Sequence, residues 1–310
     1  MRGIFVVYLS AALGLVSLAA ADDRPPADTS GLSHVNPFGL FYDGSFRNLD
    51  DYLQPGALLV TGNCNRYDAR FQKARDAGAD VLAYLNVVEE YDQSPCRLSD
   101  TVYGGGPGHA PLWPYPRYGE RVNYKNTHLA DLRAGSKWSD HVVEYISGLM
   151  REGKVDGVFL DNVGARLYSR LAAWRTWDKK EQDEWTLGNV DLVRRLDEAR
   201  RQIDPDFLIV TNGYWDRGDQ LGLDGERHVD GVVLEHPLGD DWHVRYAARP
   251  FSDLGHRRVL VIAHDTPEDI ARWEQADGVT HITLQPSYHH PGKPGLPFRA
   301  LNDRKRKGRE

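Results

Sequence analysis

The feature that most constrains the fold is a short apolar run that ends abruptly in polar side chains. It spans residues 155–163, Val-Asp-Gly-Val-Phe-Leu-Asp-Asn-Val, and follows a helix-like segment that ends near Lys154. A run this short is too short for a helix and is typical of a buried parallel strand. A second run, residues 229–236, repeats Val-Asp-Gly-Val and ends in Glu235 and His236. The two runs predict a parallel sheet with a carboxylate at the end of each of these strands.

The same pattern recurs along the chain and gives about eight strands, most of them followed by a helix-like segment. The predicted strands are residues 38–42, 57–61, 80–86, 155–163, 207–211, 229–236, 258–263 and 279–284. This order is typical of the α/β class and of a (β/α)8 TIM barrel with long βα loops. Such a barrel needs ~250 residues and fits within a chain of 310. An open doubly wound sheet is the alternative, although no Gly-rich phosphate loop follows the first strand.

The first residues have the composition of a secretory signal peptide. Arg2 supplies the positive end, residues 4–18 form the apolar segment, and small residues precede Asp22. An uncleaved membrane anchor is the alternative, but this segment is shorter than the ~20 apolar residues that a membrane span needs. We therefore expect a secreted or periplasmic protein without stable membrane insertion. Its expected parts are a signal peptide at 1–21, a flexible leader at 22–35, the barrel at 36–301 and a charged tail at 302–310.

Cysteine content and charge limit the chemistry further. The chain has two cysteines, Cys64 and Cys96, and export to an oxidising compartment would favour a disulfide bond between them. Two free buried thiols are the alternative. The formal net charge of -7 argues against a nucleic-acid partner.

A long excursion follows the third predicted strand, from about residue 90 to residue 135. It contains Gly-Gly-Gly-Pro-Gly at 104–108 and several aromatic residues, among them Trp113 and Tyr115. A loop of this length in a compact domain is usually functional or disordered, and its aromatic content argues against disorder. Because sugar C–H groups pack on aromatic rings, Trp113 and Tyr115 are candidate substrate contacts. The alternative is a loop that folds onto itself around a small core of its own.

Polar residues stand at nearly every predicted strand end, which in a barrel would bring them to one mouth. A site that hydrogen-bonds several sugar hydroxyls needs such a convergence, whereas each residue alone could be a helix cap or a turn residue. Cleavage of a glycosidic bond uses a pair of carboxyl groups, and Asp161 and Glu235 are the candidates for that pair. The further candidate contacts are Asp43, Asn86, Glu89, Asn162, Asn212, Tyr214, Trp215 and His264.

Three segments resemble a known family. Asp-Gly-Val-Phe-Leu-Asp-Asn-Val at 156–163, Ala-Tyr-Leu-Asn-Val at 83–87, and Asp131-Leu132 followed by Trp138 are similar to TIM-barrel glycoside hydrolases of the endo-α-1,4-polygalactosaminidase type, including spherulin-like and uncharacterised bacterial relatives. The resemblance implies a retaining hydrolase, with Asp161 as nucleophile and Glu235 as general acid/base. It also implies a polysaccharide or oligosaccharide substrate, with an amino-sugar polymer as one candidate. The long aromatic loop and the Trp-rich segment after Asn162 depart from the family pattern.

Other functions remain open at this point. A secreted carbohydrate-binding protein on a catalytically inactive barrel would keep the aromatic residues and need neither carboxylate. A metal-dependent hydrolase would draw on His264, Asp265, His281, His289 and His290, but no spaced ligand motif such as His-Glu-x-x-His is present. The sequence has neither a Gly-x-Ser-x-Gly elbow nor a dinucleotide fingerprint. We therefore expect a glycoside hydrolase that needs no cofactor and no metal.

Overall fold

A closed barrel of parallel strands organises the protein. The computed structural model describes residues 35–41, 49–91, 98, 127–164, 167, 175–212, 228–235, 258–264, 273 and 278–285. Within these ranges the strands are β1 Asn36–Phe41, β2 Leu58–Gly62, β3 Asp80–Asn86, β4 Glu89–Tyr91, β5 Thr127–Leu129, β6 Gly157–Asp161, β7 Leu208–Thr211, β8 Gly231–Glu235, β9 Arg258–His264 and β10 His281–Gln285. All except β4 and β5 form the barrel, in chain order, and β10 closes it against β1. The predicted (β/α)8 barrel is confirmed.

The barrel interior is a packed apolar core. Side chains alternate between the two faces of a strand, so every second residue of a barrel strand points inward. These inward residues pack into one cluster, formed by Phe38, Leu40, Leu58, Val60, Leu82, Phe159, Leu208, Val210, Val233, Leu260 and Ile262. The intervening residues, such as Val158 and Leu160, pack outward in a second cluster that includes Trp138 and Trp185 of the helices. A residue's position along its strand therefore fixes the face on which it lies.

Three α-helices in the described ranges cover the barrel, and each begins at a capping side chain. Helix α1 (Ala69–Asp76) follows Asp68, and α2 (Lys137–Glu152) follows Ser136, whose side chains accept hydrogen bonds from backbone N–H groups of the first turn. Helix α3 (Lys179–Ile203) opens with a reciprocal capping box between Asp178 and Glu181. Among the described helices, none has the length and apolar character needed to cross a membrane.

The Asp of each Asp-Gly-Val motif lies at the amino-terminal end of the barrel. Asp156 accepts a hydrogen bond from the N–H of Val81 in β3 at 2.9 Å, and Asp230 accepts one from Ile209 in β7 at 2.9 Å. Each also binds an arginine from a helix, Arg75 of α1 for Asp156 and Arg200 of α3 for Asp230. The motif therefore attaches a helix to the start of a neighbouring strand.

The Gly of each motif stands where the barrel wall has no room for a side chain. A Cβ atom on Gly157 would lie 2.7 Å from Cδ2 of Leu82 and closer still to the carbonyl oxygen of Leu208. On Gly231 it would lie 2.7 Å from Cβ of Arg258. Real Cβ atoms do not approach other heavy atoms this closely, so both positions require glycine.

A two-stranded antiparallel ribbon, β4 with β5, closes the root of the long excursion. Glu89 pairs with Leu129 and Tyr91 with Thr127. Beside the ribbon, the N–H of Ala130 donates to the carbonyl of Val88 at 2.8 Å. The sequence predicted the excursion but not this ribbon. Trp113 and Tyr115, which the excursion carries, lie outside the described residues.

Candidate active site

The described part of the barrel mouth is built around Asp161, the last residue of β6. Asp161 follows Phe159 by two positions, so it lies on the same interior face, above the apolar core. Its neighbours across the sheet are Asn86 at the end of β3 and Asn212 directly after β7. Polar residues at the carboxyl ends of barrel strands form the active sites of this fold. The structure thus brings three of the predicted site residues to one place.

Both carboxyl oxygens of Asp161 are held by neutral donors. The hydroxyl of Tyr84 in β3 donates to Oδ2 at 2.6 Å, and Nδ2 of Asn212 donates to Oδ1 at 2.6 Å. The donors stand on the two strands that flank β6, so the carboxyl is gripped from both sides. These two hydrogen bonds fix the orientation of the carboxyl, and neither of the two donors carries a positive charge that would neutralise it.

Asn162 orients the Asn212 amide. Its backbone has a φ of 63°, the left-handed conformation that Asn tolerates better than most residues. In this conformation its N–H donates to Oδ1 of Asn212 at 2.7 Å. Because the amide oxygen is engaged there, the NH₂ group is turned toward Asp161. Sequence reasoning assigned Asn162 and Asn212 to sugar contacts, and that assignment stays a prediction. The described hydrogen bonds give both a role in positioning Asp161.

The environment of Asp161 acts on its proton affinity in two directions. Burial raises the pKa of this carboxyl above its ordinary value, because a charge is poorly solvated there. Hydrogen bonds from Tyr84, Asn212 and the backbone of Asn162 lower the pKa, because they favour the ionised form. The net direction is upward. An ionised Asp161 is therefore a weakly solvated carboxylate whose stability depends on these donors.

Asn86 and Asn63, two other amides at strand ends, make local contacts. Oδ1 of Asn86 accepts the N–H of Val88 at 3.2 Å and shapes the turn into β4. Oδ1 of Asn63 accepts the hydroxyl of Tyr145 at 2.9 Å, and Arg66 also donates to this residue. The contacts of Asn63 tie the end of β2 to α2.

Several predicted site residues are described incompletely or not at all. Glu89, Glu235 and His264 are described through their backbone alone, which places Glu235 at the end of β8 opposite Ile262 of β9. The positions that lie outside the described residues are Asp43, Tyr214, Trp215, Trp113, Tyr115 and Cys96. Cys64 lies in the 3₁₀ helix that follows β2. The separation of the two carboxyl groups therefore stays a prediction, as does the disulfide bond.

Tyr84 is the residue that sequence reasoning missed. It lies within the apolar run of β3, where an aromatic residue is ordinarily part of the core. The available signal was its spacing, since Tyr84 and Asn86 are two positions apart and therefore lie on the same, interior face of the strand.

His281, considered above as a metal ligand, starts β10 at the opposite end of the barrel. Burial, together with nearby Arg258, lowers its pKa to about 3. Among the described residues, no group of three His, Cys, Asp or Glu side chains could hold a metal ion.

Comparison with solved structures gives the same architecture. The glycoside hydrolase domain of PelA from Pseudomonas aeruginosa is 14% identical, with a TM-score of 0.55 over 84% of this chain and 98% of that one. A variant of that domain gives a TM-score of 0.56 over the same shares. Ega3 of Aspergillus fumigatus, solved with galactosamine, is 12% identical, with a TM-score of 0.49 over 87% of this chain and 96% of that one. No protein-family model and no curated protein matches the chain. At 14% identity, the likeness to PelA shows that the two proteins share the TIM-barrel fold.

Proposed function

We propose that the protein is a glycoside hydrolase that cleaves a polysaccharide or oligosaccharide with two carboxyl groups. The observation that carries this proposal is the placement of Asp161. It stands on the interior face of the barrel mouth, with both oxygens held by neutral hydrogen-bond donors. A carboxylate held in this way is suited to attack an electrophilic carbon, because its orientation is fixed and, among the described residues, the groups that bind it are neutral.

The register of the barrel supports Glu235 as the second carboxyl. Leu160 pairs with Thr211, and Thr211 pairs with Val232, so the hydrogen-bonded row that contains Asp161 meets β8 at Val233. Around an eight-stranded barrel the register shifts by about one residue per strand relative to the barrel axis. When the pairings are followed from β1 through β2 to β10 and back, they return to β1 at a residue nearer the amino terminus. On each successive strand, the residue at a given level of the barrel therefore lies about one position further along the chain than the paired residue. At the level of Asp161, β8 therefore presents Glu235.

The distance between the two strands fits the reaction. β6 and β8 are separated only by β7, so their backbones lie about 10 Å apart at a spacing of ~4.8 Å per strand. Side chains on the interior faces of such strands are closer together than the backbones, because the interior faces converge toward the barrel axis. A retaining glycosidase needs its carboxyl groups ~5–5.5 Å apart, and an inverting one needs ~6.5–9.5 Å. Both separations are within reach of this pair, and the resemblance to retaining enzymes favours the shorter.

In the proposed mechanism, Asp161 attacks the anomeric carbon while Glu235 protonates the departing glycosidic oxygen. The resulting glycosyl ester on Asp161 is then hydrolysed by a water from which Glu235 removes a proton. The first step requires an ionised Asp161, which the hydrogen bonds from Tyr84 and Asn212 to its carboxylate favour. It also requires a protonated Glu235, so the two groups need different environments.

We propose an amino-sugar polymer as the substrate. It rests on the family resemblance of the segments around Tyr84 and Asp161, and the PelA neighbour is itself described as a glycoside hydrolase domain. We further propose that the protein is secreted or periplasmic after cleavage before Asp22, with a Cys64–Cys96 disulfide in the mature chain. Support for the disulfide comes from Cys64, which the structure does not leave as a free thiol.

A glycan panel with product analysis tests the proposed function. Wild type should release shorter oligosaccharides from one class of polymer, and Asp161→Asn and Glu235→Gln should each abolish that release while remaining folded. Asp183→Asn is the matched control, because it removes a carboxylate from the exposed face of α3 and should keep full activity. Binding of glycans without any product would instead favour the carbohydrate-binding alternative. Full activity in Asp161→Asn would refute the mechanism.

A further inference from the structure

Tyr84 bridges the apolar core of the barrel and the carboxyl of Asp161. Its ring packs on Phe159, with the ring centroids 5.8 Å apart, and joins the interior cluster. Its hydroxyl reaches Oδ2 of Asp161 at 2.6 Å. One side chain therefore connects the packed centre of the barrel with the proposed nucleophile.

The backbone around Tyr84 gives the ring a defined place. Tyr84 pairs with Phe159 of β6 on one side and with Gly62 of β2 on the other. Gly62 has no side chain to occupy the interior beside the ring. The ring is therefore fixed by a rigid strand and by packing, and the hydroxyl position follows from the fold rather than from a mobile loop.

We infer that Tyr84 is a positioning residue for the proposed hydrolase, whose hydroxyl orients the Asp161 carboxylate and sustains its ionised form. The inference rests on the proposed function and extends it to a residue outside the carboxyl pair. A neutral donor suits this role, because a lysine or arginine in its place would form an ion pair and weaken the nucleophile. Tyr84 touches Asp161 and acts through it.

The titration of Asp161 depends on the groups around it. Among the described residues these are the hydroxyl of Tyr84 and the amide of Asn212, which bind its carboxyl, and Asn86, which pairs with it across the sheet; all three are neutral. β8 and β9 bring two ionisable residues, Glu235 and His264, to the same end of the barrel. Variants at Tyr84 leave all of these in place, so a change in the titration of Asp161 is traced to the hydroxyl.

Tyr84→Phe removes the hydroxyl and keeps the ring that packs on Phe159. Removing a hydrogen bond to a charged group typically lowers an equilibrium constant or a rate by about ten- to a hundredfold. We expect kcat to fall by that factor, with KM within about twofold of wild type. Because the hydroxyl favours the ionised carboxylate, its removal raises the pKa of Asp161. The acidic limb of the pH–rate profile therefore moves to higher pH.

Tyr145→Phe is the matched control. Tyr145 is also half-buried and also donates its hydroxyl to a side chain at a strand end, Oδ1 of Asn63 at 2.9 Å. It does not act on Asp161. This variant should keep the wild-type kcat and pH profile. A loss of the same size in both variants, with unchanged pH profiles, would assign Tyr84 to general stability and overturn the inference.

A second measurement needs no substrate. Carbon-13 NMR of carboxyl-labelled aspartate follows each Asp through its titration, and the Asp161 signal is the one that disappears in Asp161→Asn. Its midpoint should move to higher pH in Tyr84→Phe. It should move to lower pH when 3-fluorotyrosine, a stronger hydrogen-bond donor, replaces Tyr84. If Tyr84→Phe does not fold, the fluorinated variant still tests whether the hydroxyl sets the pKa of Asp161. Identical midpoints in all folded variants would refute the role of Tyr84, whether or not the protein hydrolyses glycans.

Discussion

The buried ion pair between Arg200 and Asp230 should contribute far more to stability than its counterpart between Arg75 and Asp156. Both pairs join a helix to the residue that precedes a barrel strand, and both aspartates cap a neighbouring strand. Their burial differs. The side chains of Arg200 and Asp230 are 11% and 0% exposed, whereas those of Arg75 and Asp156 are 22% and 27% exposed.

Removing one partner of a buried ion pair leaves an uncompensated charge and costs about 3–5 kcal/mol. Arg200 also binds Asp197, whose side chain is fully buried, so Arg200→Met should fall in this range. Arg75→Met should cost about 1 kcal/mol, because water still reaches the Asp156 carboxylate. With a urea m-value of about 3 kcal/mol per M, the unfolding midpoint should fall by roughly 1–1.7 M for Arg200→Met. For Arg75→Met it should fall by about 0.3 M.

Urea unfolding, followed by circular dichroism and fluorescence on the same samples, measures both midpoints and m-values. The two variants are matched, since each replaces an arginine by an unbranched apolar side chain at an equivalent place in the fold. Equal losses in the two variants would contradict the reasoning, because they would show that burial does not set the strength of these pairs.

The other predictions concern a glycine, the disulfide and the aromatic loop. Gly157→Ala should lose about 1–3 kcal/mol through overpacking against the barrel wall. Gly148→Ala, whose new methyl group has no atom within 4 Å apart from its chain neighbours and the adjacent backbone of its own helix, should gain about 0.5–1 kcal/mol in helix α2; equal stability of the two in urea would exclude the steric argument. Mass spectrometry of the secreted protein without reductant should show a Cys64–Cys96 bond, which would stabilise the chain by about 2–4 kcal/mol; two free thiols would remove this prediction. Trp113→Ala should weaken oligosaccharide binding in calorimetry and leave the unfolding midpoint unchanged, whereas unaltered binding would assign the residue to the packing of its own loop.

The barrel itself could be predicted from the sequence because of where its strands lie. A strand covered on both faces must be apolar along its whole length, so runs such as Leu58–Gly62 and Gly157–Asp161 stand out from the helices between them. The position of Asp161 at the mouth follows from the same rule, since the apolar run ends where the strand leaves the core. The ribbon formed by β4 and β5 could not be found this way, because its three-residue strands carry no periodic pattern.

The partners of Asp161 depend on tertiary register, which the sequence does not display. Tyr84 and Asn212 are 77 and 51 residues away from it in the chain. They meet Asp161 only because the barrel places β3 and β7 on either side of β6. The aspartates of the two Asp-Gly-Val motifs are a similar case. Their pattern was visible, but their role at the amino-terminal end depends on Arg75 and Arg200, which arrive from separate helices.

The ribbon at the root of the excursion has a consequence for how such a protein can diversify. β4 and β5 hold the chain together where it leaves the barrel and where it returns. The positions of these two ends therefore do not depend on the number of residues between them. Doubling the length of such a loop costs only about 0.6 kcal/mol in chain entropy. Apart from Cys96, the proposed partner of Cys64, and Leu98, which is buried in the core, the stretch between Tyr91 and Thr127 can therefore change in length and sequence, while Asp161 and its donors stay on strands that the change does not disturb.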